Sequence, residues 1–71
     1  MNIQEATRKA IESNGYITCT SEFWHGIIKI EPTNTPDCCI LFKLDDKDAL
    51  PQRGWQPQAR HLLSDDWAVV D

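Results

Sequence analysis

Gly54-Trp55-Gln56-Pro57-Gln58-Ala59-Arg60-His61-Leu62-Leu63-Ser64-Asp65-Asp66-Trp67 is the stretch around which the chain is organised. Two tryptophans bracket one short helical turn, which carries a Leu62-Leu63 pair and exits through two aspartates. Pro57 suits the first helical position, where a missing N–H costs nothing. Leu62 and Leu63 are expected to point inward, and Trp67-Ala68-Val69-Val70 reads as a short final strand. Tryptophan buries its ring and uses its N–H, so two of them around so short a helix mark either a site or the core of a small domain.

Toward the N-terminus, Cys38 to Leu44 is the most apolar strand. Cys38, Ile40, Phe42 and Leu44 face one way, Cys39 and Leu41 the other. Apolar residues on both faces predict a central strand or one covered by a partner chain. Before it, Pro32 to Asp37 is dense in turn residues, and Gly26 to Glu31 alternates Ile28 and Ile30 against Ile27, Lys29 and Glu31. Tyr16 to Thr20 is a further strand, with Ile17 and Cys19 opposite Tyr16, Thr18 and Thr20. Residues 2–13 form the opening helix: Asn2 caps it with Glu5 three positions on, and Ile3, Ala6, Ala10 and Ile11 share one face. Asn14-Gly15 stops it, Gly15 being free to turn left-handed. The expectation is one α+β domain over residues 1–71. It has an N-terminal helix packed on a small antiparallel sheet, a short helix near the C-terminus and a final strand.

A chain of 71 residues buries only about 60% of its unfolded surface, so its own core is marginal and association between copies is the expected supplement. The three cysteines, Cys19, Cys38 and Cys39, are odd in number and form no C-x-x-C pair. Cys38 and Cys39 should leave a strand on opposite faces, as free buried thiols of a reducing cytoplasm. No spacing of His25 or His61 with them suggests a metal, and no cofactor is expected. The net charge of −4 gives no general electrostatic footprint for nucleic acid. No apolar run approaches the roughly eighteen residues of a membrane span, so a soluble cytoplasmic protein is expected.

Catalysis finds little support. No serine sits in a nucleophile elbow, no cysteine has a histidine partner in sequence, and the three glycines lie far apart. Binding fares better. Trp24 and Trp55 stand next to irregular, glycine-containing segments as platforms for a flat ring, with Tyr16 and Phe23 in reserve. Arg53 and Arg60 flank Trp55 and offer charge-assisted bonds to phosphate. Trp67, inside a strand pattern, is assigned to the core.

These residues carry a resemblance. Trp24-His25-Gly26 entering a strand, and Trp55, Leu62, Leu63, Asp65, Asp66 and Trp67 at their spacing, resemble the second Thoeris anti-defence family, a group of phage nucleotide-signal sponges. The run from Lys29 to Ile40 looks like a short subgroup lacking a longer middle insertion. The likeness covers nearly the whole chain. Gln58 stands where the family has serine, His61 where it has aspartate, and His25 where it has asparagine. The resemblance implies a homo-oligomer, tetramer favoured and dimer possible, with pockets between protomers. These would hold a cyclic ADP-ribose-type signal in the host bacterial cytoplasm without cleaving it. Trp24, Gly26, Trp55, Gln58 and His61 would line the pocket, with Arg53 or Arg60 on phosphate. Two rivals stand beside this reading. One is a protein-binding inhibitor of bacterial defence, anti-CRISPR-like, acting through Asp45, Asp46, Asp48, Asp65 and Asp66. The other is a hydrolase of the same signal.

Overall fold

Helix α1 (Ile3–Ser13) begins where Asn2 Oδ1 accepts the Glu5 N–H at 2.8 Å, the expected cap. The computed structural model describes residues 1–21, 24, 27–45 and 48–70. The other elements are β1 (Tyr16–Cys19), β2 (Ile28–Pro32), β3 (Cys39–Lys43), α2 (Ala59–Leu63) and β4 (Trp67–Val70). Ala6 and Ala10 are fully buried, and their small side chains let α1 lie close on the sheet. At its far end Asn14, not Gly15, takes the left-handed conformation (φ 55°), and the Gly15 N–H closes on Ala10 O at 2.8 Å. Glycine is needed at position 15 for clearance: a Cβ there would lie 3.0 Å from the Val70 carbonyl oxygen.

The four strands form one antiparallel sheet in the order β3-β2-β1-β4, so the last strand returns to lie beside the first. The register places Ile17, Cys19, Ile30, Cys39, Leu41, Trp67 and Val69 on the face that α1 covers. Tyr16, Ile40, Phe42, Ala68 and Val70 lie half-buried on the other face. There the Tyr16 and Phe42 rings meet edge to face at 5.6 Å, and Lys29 Nζ sits 3.8 Å above the Tyr16 ring.

Strand β3 is at the edge of the sheet, which corrects the central position offered as one of the two readings of its apolar faces. Its outer side is covered by the segment that leads into Trp55. Leu41 and Gln52 exchange backbone bonds of 2.8 and 2.9 Å, the Gly54 N–H donates to Asp37 O, and the Trp55 N–H donates to Cys39 O, both at 2.9 Å. This pairing answers the edge-strand hazard without a further strand.

Three other expectations are corrected. Pro57 lies before the helix, which starts at Ala59 with Gln58 as its N-cap. Leu62 and Leu63 point outward, 54% and 81% exposed, because α2 turns His61 inward in their place. Cys38 precedes β3 in a left-handed conformation (φ 45°), so it does not alternate with Cys39. The two Sγ atoms come to 2.7 Å from each other, with Cys38 exposed and Cys39 half-buried, and only Cys19 is a buried thiol.

Candidate functional site

The organising stretch folds back on itself and brings its three rings, Trp55, His61 and Trp67, against Trp24. Trp67, almost fully buried on β4, is the inner wall, and its Nε1 donates to His61 O at 2.8 Å. His61 is turned inward by α2, and its Nδ1 accepts the Gln58 N–H at 3.0 Å. Accepting at Nδ1 assigns the neutral ring's proton to Nε2, which is buried on the inner side. Trp55 arrives from the strand-like segment beside β3. Trp24 arrives from the β1–β2 connection, its carbonyl taking the N–H groups of Ile27 and Ile28, both at 2.8 Å.

The three indoles stand nearly perpendicular to one another. Trp24 and Trp55 are 6.0 Å apart at 73°, Trp24 and Trp67 5.7 Å at 76°, and Trp55 and Trp67 6.2 Å at 73°. The imidazole of His61 tilts against Trp24 at 5.0 Å and against Trp55 at 6.1 Å. Such edge-to-face pairs contribute about 0.5–1.5 kcal/mol each beyond area burial. Trp24 and Trp55 nonetheless keep part of their surface open, since both are half-buried while packed against the core. The cluster is therefore a core corner and a partly exposed aromatic wall at once.

Of the residues expected to form the site, Trp24, Trp55 and His61 meet directly. Gln58 is exposed and tied to His61 through its backbone N–H. Arg53 and Arg60 are exposed, and one guanidinium nitrogen of Arg53 lies 3.4 Å from the Asp37 carboxylate. Gly26 and His25 lie outside the described residues. Sequence reasoning placed Trp67 in the core and missed that it also touches both other tryptophans; the twelve-residue interval between Trp55 and Trp67 was the available signal.

A separate cavity of about 260 Å³ lies at the C-terminal end of α1, lined by Ala10, Ile11, Asn14, Gly15, Glu31, Pro32 and Asn34. None of these residues belongs to the ring cluster. With one carboxylate and two amides, it is a polar cleft with no aromatic lining. Among the described residues no three of His, Cys, Asp and Glu are grouped to hold a metal ion. No described helix is long and apolar enough to cross a membrane.

No curated protein and no solved structure matches the chain significantly. The family model described as the Thoeris anti-defense 2-like domain matches residues 1–70, nearly the whole length. The tryptophan-bracketed stretch and the helix-on-sheet fold that gathers it thus lie within a match spanning the domain, and the chain belongs to the Thoeris anti-defense 2-like family, with a role in anti-defence.

Proposed function

We propose that the chain is a sponge: it binds a cyclic nucleotide immune signal of the cyclic ADP-ribose type and sequesters it without turnover. The observation that carries this reading is the partly open wall of Trp24 and Trp55 backed by His61. A flat base stacking on such a wall gains about 1–3 kcal/mol. A sponge of nanomolar affinity needs about 12 kcal/mol, so stacking must be joined by charge-assisted bonds to phosphate and by enclosure. Arg53 and Arg60 are the cations for the first, and a second copy of the chain is the source of the second.

Association between copies is part of the proposal. Leu62 and Leu63 stand exposed on α2, a few residues from His61 and Trp67, and the half-open sheet face carries Tyr16, Ile40, Phe42 and Val70. Apolar surface of this extent on so small a domain favours a homo-oligomer, tetramer or dimer, with the ligand at a seam between protomers. The sponge would act in the host bacterial cytoplasm, where the signal is made.

Thermal-shift measurement against a panel of cyclic ADP-ribose isomers and cyclic oligonucleotides tests the reading by mass action. A sponge is stabilised by one class and, on heating, releases that ligand chemically intact; release of a cleaved product would make it a hydrolase. A flat response across the panel would favour the second reading, a protein-binding inhibitor. The exposure of Asp45, Asp48, Asp65 and Asp66 favours that reading; Asp46 lies outside the described residues. Charge reversal of the exposed aspartates abolishes inhibition under that reading and spares it under the sponge.

A further inference from the structure

We propose that Cys38 and Cys39 form a reversible two-thiol modification site. A low-molecular-weight disulfide oxidises the pair to a Cys38–Cys39 disulfide, and the change is transmitted to Trp55. The inference stands apart from the ligand reading and rests on how the β2–β3 turn is built. The Thr33 N–H donates to Cys38 O at 2.8 Å, the Thr33 hydroxyl donates to the same oxygen, and the Cys38 N–H donates to Thr35 O at 2.8 Å. These bonds hold Cys38 in its left-handed conformation, which few non-glycine residues adopt, and so swing its side chain onto that of Cys39. The two Sγ atoms are in direct contact, which is the juxtaposition a covalent bond near about 2.05 Å requires.

The two thiols have different access. Cys38 is exposed and meets the oxidant first. Its thiolate attacks one sulfur of the small disulfide; that S–S bond breaks, one half leaves as a thiol, and the other half stays bonded to Cys38. Cys39 then loses its proton to solvent and attacks Cys38 Sγ. The Cys38–Cys39 bond forms, and the second half leaves as a thiol. Two protein thiols have lost two electrons, and the small disulfide has gained them. Before the first step Cys39 is a poor nucleophile, held as a thiol by burial, by its hydrogen bond with Cys38 and by the charge of Cys38. The last two causes disappear once Cys38 is capped, which orders the steps. Cys19 takes no part: it is fully buried, and its Sγ lies 3.2 Å from Ser21 Oγ and 3.7 Å from Ser64 Oγ.

Adjacent α-carbons sit about 3.8 Å apart, closer than most disulfides allow, so the ring is strained and easily reduced. Such bonds belong to the labile, regulatory class. The strain is transmitted because Cys39 O is the acceptor for the Trp55 N–H. Closing the ring turns the Cys38–Cys39 peptide, whose oxygen accepts the Thr33 N–H, and shifts the Cys39 α-carbon that carries the carbonyl from which Trp55 hangs.

Oxidised glutathione is the probe. Incubating the full chain with it and then alkylating should reduce the count of reactive thiols in the unfolded protein from three to one. The intact mass should fall by two hydrogens with no adduct, and the reductant should restore all three thiols. Cys39→Ser should stop at a glutathionyl adduct on Cys38, and Cys38→Ser should gain neither adduct nor ring. Tryptophan emission should shift on oxidation of the wild type and return on reduction. A stable glutathionyl adduct on the wild type, disulfide-linked dimers or an unchanged mass would overturn the site. Unchanged emission with the ring closed would overturn the link to Trp55.

Discussion

The indole Nε1 of Trp67 donates to the main-chain oxygen of His61 across 2.8 Å, inside a corner closed to water. This bond ties β4 to α2, a helix of five residues that is too short to persist alone. Trp67→Phe keeps most of the ring but removes the donor and leaves the His61 carbonyl buried without it. A loss of about 1–3 kcal/mol is expected from the orphaned acceptor, with further loss from the smaller ring. Urea unfolding should show a lower midpoint with little change in slope. An unchanged midpoint would show that α2 is held by something other than this bond.

The end of α1 gives a graded prediction. Asn14 is left-handed, so Asn14→Ala should cost about 1 kcal/mol while Asn14→Gly should be neutral or stabilising. Gly54 is also left-handed, with nothing within 4 Å of a built Cβ, so Gly54→Ala should cost only a similar conformational amount. Gly15→Ala should be worst of the three alanine variants, because its Cβ would press on the backbone oxygen of Val70 and not on a movable side-chain tip. In a domain of this size 1 kcal/mol shifts the melting temperature by about 4–8 °C, so calorimetry resolves the order.

That order also shows what the chain made legible. Alternating isoleucines, an Asn2 cap and an Asn14-Gly15 stop are local signals, and they located α1, β1, β2 and β4 to within a residue or two. Misreadings came where tertiary pairing decides. Nothing local says that Gln52 to Trp55 would cover β3, so a strand with two apolar faces was read as central or as covered by a partner chain, and its edge position corrects the first of these. Nor does local pattern choose between His61 and the Leu62-Leu63 pair for the inner face of a five-residue helix; the Gln58 N–H to His61 Nδ1 bond does. The left-handed turn at Cys38 depends on hydrogen bonds with Thr33 and Thr35, so simple alternation failed there. Of the ring cluster, Trp24 and Trp55 were legible because each stands near a glycine in an irregular segment, whereas His61 stood out only through the family resemblance.

Alkaline pH should weaken the fold through Cys39. Its thiol is pushed up from 9.0 to about 12, first by burial, then by the hydrogen bond with Cys38 and the charge of Cys38, against a lowering bond with the Thr33 backbone. In the unfolded chain the thiol ionises near its ordinary value. Between the two values the unfolded state therefore binds fewer protons, and stability falls as pH rises. The contribution is whole below about pH 9 and is progressively lost toward pH 12. Denaturation midpoints of the wild type should fall more steeply than those of Cys39→Ser over that window. Parallel curves would remove Cys39 as the cause.

The Arg53–Asp37 pair separates binding from stability. At 3.4 Å, with side chains 75% and 46% exposed, it should contribute no more than about 1 kcal/mol to the fold. Arg53→Ala should therefore leave the melting temperature nearly unchanged. If Arg53 holds a ligand phosphate, the same variant should weaken binding about tenfold or more, since a charge-assisted bond is roughly twice as strong as a neutral one. Asp37→Asn makes the complementary test, because it frees the guanidinium from a competing carboxylate. Affinity should hold or rise in that variant, with a steeper dependence on salt. Trp55→Phe supplies the stacking control: it keeps an aromatic ring in the wall while losing stacking area, and should weaken binding with less damage to the core than alanine. Isothermal titration with whichever cyclic nucleotide stabilises the wild type reads all three variants. Unaltered affinity in Arg53→Ala would take Arg53 out of the phosphate contact and leave Arg60 to carry it.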